Sequence, residues 1–174
     1  NRNLCGGGNM KLFCSTIAFV VFLFICTNGT HAQTSQIKLN QIELMKLQIG
    51  TWKCDSNKDT TVFWEGKPYG TGLDCYSRIV VKGKTVKEGR ELWGYDKSID
   101  KFICASLDKG KDMELQAVWF TSKNVYEYIR YSDLSNPEKA SWKIVGEFTS
   151  ADVVVETTTE NNKIILVETY TRQK

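Results

Sequence analysis

Arginine, tyrosine and glutamate recur at two-residue steps along this 174-residue chain. In Val86-Lys87-Glu88-Gly89-Arg90-Glu91-Leu92-Trp93, one face of a strand would carry Val86, Glu88, Arg90 and Leu92. In the run from Val125 to Tyr131, one face would carry Tyr126, Tyr128 and Arg130, and near the C-terminus Ile164, Leu166, Glu168, Tyr170 and Arg172 share a face. If these faces point inward, Arg90, Tyr128, Arg130 and Glu168 make a polar cluster. An inward guanidinium can hold a carboxylate through two parallel hydrogen bonds. If the faces point outward, Arg and Glu pair across strands as ladder contacts, and a one-residue slip in register exchanges the two arrangements. Aromatic side chains accompany the cluster: Trp64, Tyr76, Trp93 and Trp119, with Tyr126 and Trp142. They could enclose an apolar ligand or fill a core. Acid–base chemistry would need a carboxyl beside a phenol, and Glu88 or Glu168 with a neighbouring Tyr is the available combination.

Other chemistries are excluded by composition. The single histidine, His31, precedes the part that reads as the folded domain. His-based metal sites and Ser-His-Asp or Cys-His catalysis therefore have no base or ligand there, and no metal is expected. Of six cysteines, Cys54, Cys75 and Cys104 belong to that domain. Three cysteines allow three pairings and spacing does not choose among them; they serve equally as small buried side chains. A formal net charge of +3, without clustered positive charge, gives no nucleic-acid surface.

The elements that position these residues follow from patterning. Met10-Lys11, an apolar run from Leu12 to Cys26, and the small-residue site Thr30-His31-Ala32 read as a signal peptide cleaved after Ala32. The apolar run is too short for a stable membrane span. Residues 1–9 read as an upstream extension of the reading frame, residues 10–32 as the leader, and residues 33–174 as one domain, secreted or periplasmic. Leu39, Ile42, Met45 and Ile49 recur at three- and four-residue steps, which predicts one short helix. From Thr51 onward the pattern predicts about ten strands: Thr51–Ser56, Thr60–Glu65, Tyr69–Val81, Thr85–Tyr95, Lys101–Leu107, Met113–Thr121, Val125–Tyr131, Ala140–Thr149, Asp152–Thr158 and Ile164–Thr171. Turn-formers separate them, among them Gly66-Lys67-Pro68, Lys82-Gly83-Lys84 and Glu160-Asn161-Asn162-Lys163. Short connections suit an all-β meander, and ten strands hide their edges completely by closing into an antiparallel up-and-down barrel of about eight to ten strands.

Gly50-Thr51-Trp52 after a short helix resembles the start of a lipocalin, and Glu168-Thr169-Tyr170-Thr171-Arg172 resembles the closing strand of such barrels. Gly94-Tyr95-Asp96 and the following hairpin resemble an uncharacterised family of small exported, mostly bacterial calycin-like proteins. The resemblance to the calycin superfamily (lipocalin, fatty-acid-binding and nitrobindin-like barrels) covers nearly all of residues 40–173. It implies structural roles for Gly50, Trp52 and Arg172, with Arg172 covering the Trp52 ring. It also implies a cup for one small hydrophobic or amphipathic molecule, with Trp64, Tyr76, Arg90, Trp93, Trp119, Tyr128, Arg130 and Glu168 as candidate ligand-binding residues. A nitrobindin-like barrel holds haem through a His, which this domain lacks, so neither haem nor another cofactor is expected. Two alternatives stand beside the binder: a small barrel enzyme (isomerase, cyclase or hydrolase) using a carboxylate–Tyr pair, and a filled barrel acting as an interaction or structural protein. A buried carboxylate within reach of a cavity Tyr would favour the enzyme, and a solidly packed interior the structural protein.

Overall fold

A computed structural model describes residues 38–174. The expected leader, its cleavage site and the residues before Met10 lie outside the described residues. The described chain begins with helix α1 (Gln41–Met45), which tightens into a 3₁₀ turn at Lys46–Gln48. Asn40 starts it, its side-chain oxygen accepting the Glu43 backbone N–H at 3.2 Å and so satisfying a donor the helix itself leaves free. Buried Gln41 then ties the helix to the barrel. Its amide donates to the Phe120 carbonyl at 3.0 Å and accepts from the Phe120 N–H at 2.7 Å.

Ten strands follow: β1 (Gly50–Asn57), β2 (Thr60–Tyr69), β3 (Gly72–Val81), β4 (Lys84–Asp96), β5 (Lys101–Asp108), β6 (Glu114–Phe120), β7 (Val125–Arg130), β8 (Trp142–Ser150), β9 (Val153–Glu160) and β10 (Lys163–Gln173). Each pairs antiparallel with the next, and β10 pairs with β1, so the sheet is a closed barrel with no free edge. The closing register sets Trp52 opposite Arg172. Among the described residues no helix is long and apolar enough to cross a membrane, which says nothing about strands.

The described residues form the expected all-β closed barrel, with one short α-helix ahead of the first strand. One turn lies elsewhere than expected. Gly66-Lys67-Pro68 are inside β2, and the chain reverses at Gly70-Thr71. Pro68 pairs with Leu73 near the end of the ladder, where a missing N–H costs little, while Gly70 takes the left-handed φ of +59° that reversal requires. At Lys82-Gly83 and Asn161-Asn162 both loop residues have positive φ, which matches the twist of the flanking strands in a two-residue hairpin. The long connection from Ser132 to Lys139 contains two 3₁₀ turns, Tyr131–Asp133 and Pro137–Lys139.

Alternation puts Trp52, Leu73, Phe102, Val118, Phe120, Tyr126 and Phe148 into a core at the helix end of the barrel, against Met45. Full burial of one such side chain is worth about 1.5–3 kcal/mol. Trp52 is 2% exposed and donates its indole N–H to the Gln48 carbonyl at 3.0 Å. The Arg172 guanidinium lies 4.1 Å from the centre of that ring. It also donates to the Leu47 carbonyl at 3.0 Å, to the Ala151 carbonyl at 2.9 Å, and to the Ile49 carbonyl. One side chain of the last strand thus clamps the plug, the first strand and the β8–β9 turn. Gly50, at φ +124°, fits beneath it, since a Cβ there would meet Arg172 Nη1 at 2.8 Å.

Candidate functional site

Above this core the barrel is hollow. A cavity of about 600 Å³ reaches from Gln48 and Trp52 at the plugged end to Lys87, Asp108, Lys111 and Arg130 at the hairpin end. The strands position its walls by parity. Trp64 comes from β2, Glu91 and Trp93 from β4, Tyr126 and Tyr128 from β7, Trp142 from β8, Glu156 from β9, and Glu168 and Tyr170 from β10. Four rings form a continuous belt: Trp64–Trp93 at 6.1 Å between centres, Trp93–Tyr128 at 5.7 Å and Tyr128–Trp142 at 6.2 Å.

Glu91 sits within the belt. Trp93 Nε1 donates to its Oε2 at 2.8 Å, and the Cys104 thiol approaches the same oxygen at 3.7 Å. The Tyr128 hydroxyl lies 3.3 Å from that oxygen and 3.1 Å from Cys104 Sγ. With one proton, it serves one acceptor at a time. Glu91 is deep inside the barrel yet keeps surface open to the cavity. Removal from bulk water pushes its carboxyl up from the ordinary range, and the donors from Trp93, Cys104, Tyr128 and Trp64 act against this. Burial likewise pushes up the Tyr128 hydroxyl and the thiols of Cys75 and Cys104, reinforced in each by the Glu91 charge.

A second carboxyl lies on β9. Tyr126 donates its hydroxyl to Glu156 Oε1. Burial pushes the Glu156 carboxyl up to about 7; the Tyr126 bond lowers it and the charges of Glu168 and Glu91 raise it further. Next to it, Glu168 accepts from Ser56 Oγ at 2.6 Å and from the Tyr170 hydroxyl at 2.8 Å. The room Tyr126 needs is provided by Gly146, where a Cβ would fall 2.1 Å from the ring carbon Cζ. Cys54, Cys75 and Cys104 are all buried, and among the described residues none forms a disulfide. Among the described residues no three His, Cys, Asp or Glu side chains converge as metal ligands.

Of the residues expected at the site, Trp64, Trp93, Tyr128, Arg130 and Glu168 line the cavity. Arg130 stands at the mouth, its Nη1 donating to Ser141 Oγ at 3.2 Å and its guanidinium 5.8 Å from the Trp142 ring centre. Tyr76, Arg90 and Trp119 are not brought there. Arg90 is on the outer face, forked onto Asp74 at 2.9 and 3.0 Å with its side chain 70% exposed. Tyr76 is paired with it in register and faces outward too. Trp119 packs outside the barrel with Ala117 and Ile129, near Leu134 and Ala140 of the long connection, with Lys101 Nζ 3.8 Å from its ring centre. The reason is parity: Arg90 and Trp93 are three residues apart on one regular strand, so they point to opposite faces. Glu88 shares the outer face with Arg90.

Sequence reasoning passed over Glu91 and Glu156. Glu91 stands two residues before Trp93, so accepting Trp93 as inward also makes Glu91 inward. Glu156 follows Val153-Val154-Val155, a run with no alternation to reveal its face. No family model matches the chain, and no curated protein matches it either.

Proposed function

We propose that this chain is an exported, calycin-like carrier that holds one small amphipathic molecule in its barrel. The observation that carries the reading is the cavity of about 600 Å³ inside a closed barrel. That volume is in the range of small-molecule sites, roughly 300–1,000 Å³. The belt of Trp64, Trp93, Tyr128 and Trp142 offers flat apolar walls. Arg130 at the mouth is the one of the two expected guanidiniums that reaches the cavity. Ile164, Ile165, Leu166 and Val167 are exposed beside the mouth on β10, which suits the passage of an amphipathic guest. The calycin resemblance and the leader reading support an extracytoplasmic carrier. A filled structural barrel is disfavoured by the size of the hollow.

A second reading, an acid–base catalyst, is favoured by a specific feature. Two carboxyls inside the barrel, Glu91 and Glu156, each lie against a tyrosine hydroxyl, and Glu156 is pushed up to about 7, near the working range of a general acid or base. Native mass spectrometry of the chain purified from its own source tests the carrier reading. A bound small molecule, displaced on unfolding, is expected; a bare polypeptide mass that stays bare after incubation with small amphiphiles would overturn it.

A further inference from the structure

The deep cavity is acidic. Glu91, Glu156 and Glu168 face it, while its cationic side chains, Lys87, Lys111 and Arg130, stand at the mouth. Lys87 is already engaged with Asp108 at 2.6 Å. Among the described residues no guanidinium or ammonium neutralises Glu91: Trp93, Tyr128 and Cys104 converge on its Oε2, and Trp64 also reaches the carboxyl. Ring faces and a carboxyl without a counter-ion call for the same thing: a positively charged group with N–H donors.

We propose that the guest is an organic cation, a protonated amine on a ring or short chain. Glu91 is its counter-ion, and Trp64, Trp93, Tyr128 and Trp142 wall it in. This rests on the cavity being a binding site at all. It reverses the polarity expected from sequence, where an inward arginine would have held a ligand carboxylate. Arg90, the residue that would have done so deep in the barrel, is outside. An anionic guest would instead meet the carboxylates of Glu91, Glu156 and Glu168.

Three probes of matched size separate the possibilities: 2-phenylethylammonium, 2-phenylethanol and phenylacetate, titrated calorimetrically into the full chain at pH 8. The ammonium is expected to bind at least tenfold tighter than either of the others. Glu91→Gln should cost the ammonium tenfold or more and leave 2-phenylethanol within about threefold. From pH 5 to pH 8 the ammonium affinity should rise as Glu156, held up to about 7, loses its proton, with 2-phenylethanol flat. The groups facing Glu91 across that range are Cys75 on β3, Cys104 on β5, Tyr128 on β7 and Glu156 on β9. Burial holds the thiols and the phenol protonated, so Glu156 carries the change. If phenylacetate or 2-phenylethanol binds as tightly as the ammonium, the cation assignment falls and the carrier reading stands. If none of the three binds, both fall. Equal loss of all three probes in Glu91→Gln reduces Glu91 to a structural part and overturns its role. The comparison on the unaltered chain decides the charge preference even should that variant not fold.

Discussion

Glu156→Gln should stabilise this protein at alkaline pH, although it alters a hydrogen-bonded buried residue. The Glu156 carboxyl holds its proton up to about 7 in the folded chain, against an ordinary value of 4.5. Between those values the folded state binds a proton that the unfolded state has released, so stability falls as pH rises through the window. The gap corresponds to about 3 kcal/mol, at about 1.4 kcal/mol for each pH unit. Glutamine keeps the shape and can still accept the Tyr126 hydroxyl, but carries no charge to bury. Urea unfolding of both chains from pH 4 to pH 8 provides the assay. Near pH 4 the two should differ by less than about 1 kcal/mol, and by pH 8 the variant should lead by about 3 kcal/mol. Glu91 is common to both chains and largely cancels in the difference. A difference that stays flat with pH, or a variant less stable than the parent at pH 8, would refute the claim that burial of this carboxylate opposes folding.

Arg172→Ala removes a ring contact and donors to three backbone carbonyls at once, and should cost about 3 kcal/mol in denaturant unfolding. Arg172→Lys should recover less than half of that, because an ammonium cannot fork onto several carbonyls. Gly146→Ala forces a methyl group into the Tyr126 ring and should cost about 1–3 kcal/mol or more, with a less-than-additive effect when combined with Tyr126→Ala. Cys54, Cys75 and Cys104 are buried, and burial pushes each thiol up. Peptide mapping after iodoacetamide treatment at pH 8 should find all three unlabelled in the folded chain and labelled in urea.

The barrel was legible in the sequence because its signals are local and repeat. Period-two runs, turn-formers such as Asn161-Asn162, and the Gly50-Thr51-Trp52 start each contribute to one consistent topology. The closure was legible too, since ten strands with short connections have no cheaper way to hide two edges. The interior was only partly legible. Tyr126, Tyr128 and Arg130 alternate cleanly and share the inner face, as do Glu168 and Tyr170. On β4 every second position on both faces is polar or mixed, so neither face announces itself as inner. Glu88 and Arg90 compete with Glu91 and Trp93, and the lone clue is that the large indole belongs inside. Trp119 misleads for the opposite reason. Its strand, Glu114–Phe120, is buried on both sides over its second half, because the Ser132–Lys139 connection covers the outside. Burial there does not mean facing the cavity. Cavity polarity was the least legible property, because it depends on which of two adjacent charged residues, Arg90 or Glu91, turns inward.

The five tryptophans provide the most direct test of the central claim, that the hollow is where a guest binds. Trp64, Trp93 and Trp142 line it, Trp52 is sealed in the floor beneath Arg172, and Trp119 is packed outside. Indole N–H resonances in a ¹⁵N-correlated NMR spectrum report all five separately as 2-phenylethylammonium is added. The account predicts large shifts for Trp64, Trp93 and Trp142, a smaller one for Trp52 and none for Trp119. Movement of Trp119 while the three cavity indoles stay still, or no movement of any at saturating probe, would contradict it.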